Sequence, residues 1–200
     1  SNLTPAQVYD RLQEGNQRYV NSQLTEVSLD HLRSDSVGGQ FPQAIVLSCI
    51  DSRVVVEQVF DQALGDIFVA RVAGNFVNED ILGSMEFACK LAGTELIVVL
   101  GHTSCGAIKG ACDDAKLGNL TNMLAKIKPA VGAIKEPKDP NLRNSKNIEF
   151  VDNVATKNVQ LTIDRILKES SVLAEMQNKG EIKIVGAMYD INTGAVDFFE

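Results

Sequence analysis

Glu95-Leu96-Ile97-Val98-Val99-Leu100-Gly101-His102-Thr103-Ser104-Cys105-Gly106 is the stretch on which the fold turns. Leu96 to Leu100 offers no polar position that could face water, so it reads as a strand buried on both sides. Ala44 to Ser48 has the same character, and Ile67 to Ala70 and Ile182 to Tyr189 are also strand-length. Strands covered on both faces belong to parallel sheets packed between helices.

The segments between these runs have helical periodicity. Thr4-Pro5-Ala6-Gln7 fits a capping box with proline at the first helical position, which predicts a helix to about Tyr19. Its apolar stripe, Val8, Leu12 and Tyr19, is sparse, as for an arm laid on another surface such as a second subunit. Residues 21–42 are polar and read as a loop with at most a short helix. Asn78 can cap a helix carrying Ile81, Met85, Cys89 and Ala92 and ending at Gly93. Ile148, Val151, Ala155, Val159, Ile163 and Ile166 mark another, and Ser171 to Gly180 a third. Asp190 to Gly194 is a turn, followed by Ala195 to Phe199 as an antiparallel edge strand. Glu136 to Asn147, with two prolines, is a linker. The expectation is an α/β, three-layer fold with a central, mostly parallel sheet flanked by helices. It forms a single domain over 1–200, with an N-terminal arm helix and loop at 1–42 and a metal-binding α/β core at 43–200.

Composition narrows the function. The 200 residues include 19 Lys+Arg and 26 Asp+Glu, a formal charge of −7, which opposes non-specific attraction to nucleic acid or anionic lipid. No apolar run approaches the ~20 residues of a membrane span. Ser1-Asn2-Leu3-Thr4-Pro5 is not a basic-then-apolar leader, so the cytoplasm is the default compartment, or the periplasm if a signal peptide has been removed. A chain this long buries about 70% of its unfolded surface, so the four cysteines are not needed as staples. They read as thiols or metal ligands.

Two segments follow the ends of buried strands: Ser48-Cys49-Ile50-Asp51-Ser52-Arg53 and Gly101-His102-Thr103-Ser104-Cys105-Gly106. The carboxyl ends of parallel strands carry the binding site in such sheets. If the two strands are neighbours, Cys49, His102 and Cys105 form a Cys2His set, a catalytic zinc arrangement that leaves a fourth position open. Thr103 or Ser104 would cap a helix with Cys105 in its first turn, where the helix dipole favours thiolate. Asp51 can take a proton from a zinc-bound water or hold that water by a hydrogen bond, and Arg53 can clamp Asp51 through a bidentate pair. The same carboxylate could instead bind the metal, so Asp51 is either an activator or a plug. Arg71 and Asn75 could simply order the loop at the end of their strand. Cys89 and Cys112 read as packing residues and His31 as a solvated side chain.

Four elements, Cys49-x-Asp51-Ser52-Arg53, Arg71-Val72-Ala73-Gly74-Asn75, Gly83-Ser84-Met85-Glu86-Phe87-Ala88 and Gly101-His102-x-x-Cys105-Gly106, resemble the β-class carbonic anhydrases in order and spacing. The resemblance implies Zn2+ bound by Cys49, His102 and Cys105, an Asp51–Arg53 dyad, and reversible hydration of carbon dioxide to bicarbonate and a proton by zinc-bound hydroxide. It also implies a homodimer as the minimal unit, or a tetramer, with the active site at the interface. Gln40 and Phe68 match residues of the family's substrate pocket, Gln40 reaching across the interface, and Gly106 lies beside the metal. Phe87 stands where some members have tyrosine. Members whose aspartate closes on the metal usually carry tryptophan three residues before the first cysteine, with partners matching Arg71 and Tyr189. Here that position is Val46, and the chain has no tryptophan, so the resemblance favours an open site with Asp51 off the metal.

Two other functions compete. Relatives of this fold hydrolyse carbon disulfide or carbonyl sulfide with the same zinc set. A non-catalytic zinc or thiol sensor would also use the cysteines, but it would have no need of Asp51 and Arg53. A cysteine phosphatase needs arginine six residues after its nucleophile, where this chain has Val55 and Ala111.

Overall fold

The computed structural model describes residues 3–199. The chain runs α1 (Pro5–Val20), α2 (Leu29–Ser36), β1 (Ala44–Ser48), α3 (Val56–Val59), β2 (Ile67–Arg71), α4 (Glu79–Glu86), β3 (Leu96–His102), α5 (Gly106–Cys112), α6 (Gly118–Ala125), α7 (Lys128–Ala133), α8 (Ile148–Glu169), α9 (Ser171–Asn178), β4 (Lys183–Tyr189) and β5 (Val196–Phe199). The strands form one sheet in the order β2-β1-β3-β4-β5, parallel except for the antiparallel β4–β5 pair. No helix among the described residues is long and apolar enough to cross a membrane.

Alternation along the strands sorts the core into two layers. Ala44, Val46, Leu96, Val98, Leu100, Val185 and Ala187 face one side, against Val8 and Leu12 of α1 and the 54–60 segment. Ile45, Leu47, Ile97, Val99 and Ile184 face the other, against α4, α8 and α9. This is the three-layer arrangement expected from strands apolar on both sides. The capping box at Thr4 forms, with Thr4 Oγ1 accepting from Gln7 N and Gln7 Oε1 accepting from Thr4 N.

Three details depart from the sequence reading. The stripe of α1 is covered by the chain's own core, Val8 and Leu12 each being 1% exposed in one cluster with Val54, Val56, Val59, Phe60 and the sheet. The stripe from Asn78 is offset: Leu82, Met85, Ala88 and Cys89 are buried, rather than Ile81 and Ala92. The helix then passes into a π turn at Phe87–Leu91, in which Ala92 N donates to Phe87 O, and Ala92 beyond it is only partly buried. Between Gly106 and Ala133 three short helices form where no long periodic pattern exists.

Gly101 positions β3 under α8. A Cβ there would lie 2.6 Å from Met188 Sδ and 2.8 Å from Val159 Cγ2. Methionine can swing aside, but valine on a helix is nearly locked in one rotamer. Gly101→Ala is expected to destabilise by about 1–3 kcal/mol through overpacking. An unchanged urea midpoint would show that α8 has room to yield.

Candidate metal centre

β1 and β3 are neighbours in parallel register, Ala44 opposite Leu96 and Ser48 opposite Leu100, so the segments that follow them emerge side by side. Cys49 Sγ, His102 and Cys105 Sγ offer ligand atoms all within 4.8 Å of one another, and the two sulfurs are 3.9 Å apart. All three residues are buried.

Each donor is oriented by neighbours. His102 Nδ1 lies 2.9 Å from the Thr103 carbonyl, which selects the tautomer with Nδ1–H donating and leaves the Nε2 lone pair free. That Nε2 is buried and has no hydrogen-bond partner, an arrangement that costs free energy unless something binds it. Cys49 Sγ accepts the Gly74 N–H at 3.3 Å. Gly74 has φ +82°, and a Cβ there would collide with Ile127 Cδ1, so only glycine fits. Two thiols and one imidazole suit a soft divalent metal in tetrahedral geometry, with one position left over.

The two thiols do not ionise alike. Cys105 donates to Cys49, which pulls the Cys49 pKa far below the ordinary thiol value. The same hydrogen bond, together with burial, holds Cys105 protonated, while the backbone N–H groups of Ala107 and Ile108 pull in the opposite direction. One proton shared between two sulfurs is a donor pair that a metal can replace. Cys105 is itself the cap residue of α5, and Ser104, expected as a cap, has φ +54° and donates its N–H to Asp152 Oδ1 at 2.8 Å. Thr103 Oγ1 is taken by Ile191 N, so it does not cap either.

Asp51 is held on three sides. Arg53 donates from Nε to Oδ1 at 2.9 Å and from Nη2 to Oδ2 at 2.7 Å, and Arg53 N reaches Oδ1 at 3.0 Å. The guanidinium is the main reason the Asp51 carboxyl sits well below the usual carboxylate range. Oδ2 lies 3.8 Å from His102 Nε2, close to the ligand atoms. Arg71, on the edge strand, donates to the carbonyls of Cys49 at 2.9 Å and Asp51 at 2.7 Å, so it orders this loop. A cavity of about 280 Å3 opens beside Cys49 and Asp51, walled by Gly106, Ala107, Met123 and Leu124.

Two predicted pocket residues are placed elsewhere. Phe68 lies on β2 against Phe87, ring centroids 6.3 Å apart, beside a separate cavity of about 680 Å3 on the outer side of that strand. Gln40 is exposed in the loop before β1. Neither lines the cavity at Cys49. Gly74 and Asp152, by contrast, touch the ligand segments. Gly74 stands within the quoted Arg71–Asn75 motif, whereas Asp152 carried no sequence signal.

Fold and cluster together define an α/β protein with a Cys2His metal-ligand set at the carboxyl ends of parallel strands. The family described as carbonic anhydrase matches residues 44–196. A carbonic anhydrase 2 of Mycobacterium tuberculosis is 35% identical over 96% of this chain and 92% of its own length. A carbonic anhydrase of Mycolicibacterium smegmatis is 33% identical over 98% and 94%. The chain belongs to the carbonic anhydrase family. Its fold is that of the β class: the β-carbonic anhydrase CcaA superposes with a TM-score of 0.77 at 24% identity, over 96% of this chain and 95% of that one. A tetrameric β-carbonic anhydrase of Sordaria macrospora gives 0.73 at 23% identity, over 97% and 94%.

Proposed function

We propose that this chain binds Zn2+ through Cys49, His102 and Cys105 and catalyses the reversible hydration of carbon dioxide to bicarbonate and a proton. The observation that carries the reading is the convergence of two thiols and an unpartnered buried Nε2 beside a carboxylate pinned by arginine. Zinc in such a site supplies Lewis acidity, bringing the pKa of a coordinated water towards neutrality. Asp51, kept ionised by Arg53, accepts a hydrogen bond from the attacking water and aims its lone pair at the substrate carbon. The apolar walls at Ala107, Met123 and Leu124 suit a neutral, linear substrate and give little hold on the anionic product.

The minimal unit is a homodimer through the outer side of β2. That edge strand is only half-buried, Phe87 and Leu91 are 50% and 77% exposed, and the large cavity lies beside them. Gln40 and Phe68 would then serve the partner's site. Sedimentation at the mass of a single 21.7 kDa chain would remove this assembly.

Stopped-flow hydration with and without chelator tests the function. Metal analysis is expected to give one zinc per chain, and chelation to abolish hydration reversibly. Zinc-loaded protein that leaves carbon dioxide untouched but hydrolyses carbonyl sulfide or carbon disulfide would move the assignment to those substrates. Loaded protein inert to all three would leave the sensor reading.

A further inference from the structure

The long helix α8 sends two polar side chains beneath the metal-ligand segments. Asn158, 3% exposed, donates from Nδ2 to the Gly74 carbonyl at 2.7 Å. Gly74 in turn donates its own N–H to Cys49 Sγ. One and a half turns earlier, Asp152 Oδ1 accepts the N–H of Ser104, the residue between His102 and Cys105 whose φ is +54°. Val154 and Ala155, between these two, and Val151, just before them, are buried in the same cluster as Cys49 and Cys105, so the helix packs directly against the ligand segments. Both backbone segments have left-handed residues, Gly74 and Ser104, which are not held by regular secondary structure and need an external tie.

We propose that Asn158 and Asp152 are positioning residues of the metal centre. Asn158 holds the Gly74 carbonyl and so sets the left-handed backbone of Gly74, which aims the preceding peptide's N–H at the Cys49 sulfur, and Asp152 fixes the backbone that spaces His102 from Cys105. An N–H bond to a ligating thiolate stabilises its charge and moderates its donation to the metal. Direct partners of metal ligands are commonly worth 10- to 100-fold in metal affinity, and Asn158 and Asp152, which act through the backbone one step further out, are placed at the low end of that range. The proposal rests on the zinc reading above.

Chelator competition and cobalt substitution test it. Asn158→Asp keeps the shape but puts an oxygen where the donor was, and is expected to weaken zinc binding about 10-fold and to shift the thiolate-to-cobalt charge-transfer band. Asp152→Ala is expected to weaken binding similarly, whereas Asp152→Asn, which keeps the acceptor oxygen, restores affinity to within about twofold. The gap in Tm between zinc-loaded and chelated protein should narrow in Asn158→Asp, since a site contact stabilises the loaded form alone. Unchanged affinity and cobalt spectrum, with Tm falling equally in both forms, would overturn the role of Asn158. So would an Asn158→Asp chain that fails to fold even with zinc, because the residue would then serve the core. Asp152→Ala with normal affinity, or Asp152→Asn as weak as Asp152→Ala, overturns the role of Asp152. A wild-type chain that takes up neither zinc nor cobalt would instead sink the metal reading itself.

Discussion

Cys49→Ser is expected to lose stoichiometric zinc and to reduce kcat/KM for carbon dioxide hydration by ~1000-fold or more, about 4 kcal/mol of transition-state stabilisation. The serine hydroxyl is a harder donor that stays protonated at neutral pH, so it cannot replace a thiolate on zinc. The fold should survive, because the Gly74 N–H that meets the Cys49 sulfur still finds an oxygen to accept it. Cys89→Ser is the internal comparison. Cys89 sits in the core with its thiol pushed up to about 12 by burial, among Met85, Ala88 and Ile97, and is not part of the Cys49–His102–Cys105 group found among the described residues. Its loss should cost about 1–3 kcal/mol of stability through a buried hydroxyl while leaving zinc content intact. Zinc analysis and stopped-flow assays on the two variants separate a ligand from a packing cysteine. Cys49→Ser with full zinc and wild-type turnover would remove the assigned site.

That contrast was readable in the residue pattern, and the reasons are local. Cys49 and Cys105 each follow a strand that is apolar on both faces, which places them at sheet ends. Cys89 falls on a helical stripe, which places it inside. The parallel sheet followed from Ala44–Ser48 and Leu96–Leu100 because a strand with no polar face has only one way to be buried. The capping box at Thr4 was equally plain, since it depends on residues three apart.

What escaped was what depends on distant packing. The π turn at Phe87–Leu91 follows the α4 segment, and no spacing rule anticipates an extra residue in a turn. The segments forming α5, α6 and α7 are too short for a periodic pattern to emerge. α1 looked like an arm because Val8, Leu12 and Tyr19 make a sparse stripe, yet these residues suffice when Val56, Val59 and Phe60 complete the cluster they pack into. Asp152 and Asn158 are polar positions on the long helix α8 and carry no local sequence signal. Their partners, Ser104 and Gly74, are 48 and 84 residues away in sequence, and only the packing of α8 against the sheet brings them together.

Asp51→Asn is expected to keep its zinc and lose about 10^2- to 10^4-fold in hydration rate, the range for removing a positioned proton acceptor. The substitution is nearly isosteric and leaves Cys49, His102 and Cys105 untouched. The cost to folding should be small, because Arg53 is 50% exposed and water can take over the guanidinium when its carboxylate is gone. The expected defect is therefore in chemistry alone: asparagine can still accept one hydrogen bond from Arg53, but its neutral amide oxygen is a weaker acceptor than the carboxylate for the hydrogen bond that orients the attacking water. Arg53→Lys should show a milder form of the same defect, because lysine lacks the planar fork that holds both oxygens of Asp51. Zinc content measured alongside turnover decides between the two roles open to this carboxylate. Zinc retained with turnover lost means that Asp51 orients the nucleophile from beside the metal. If zinc leaves with Asp51, the carboxylate is a fourth ligand, and the bidentate grip of Arg53 is released when the metal binds. Wild-type turnover in Asp51→Asn would exclude both roles, leaving the three ligands and the apolar cavity to account for the rate.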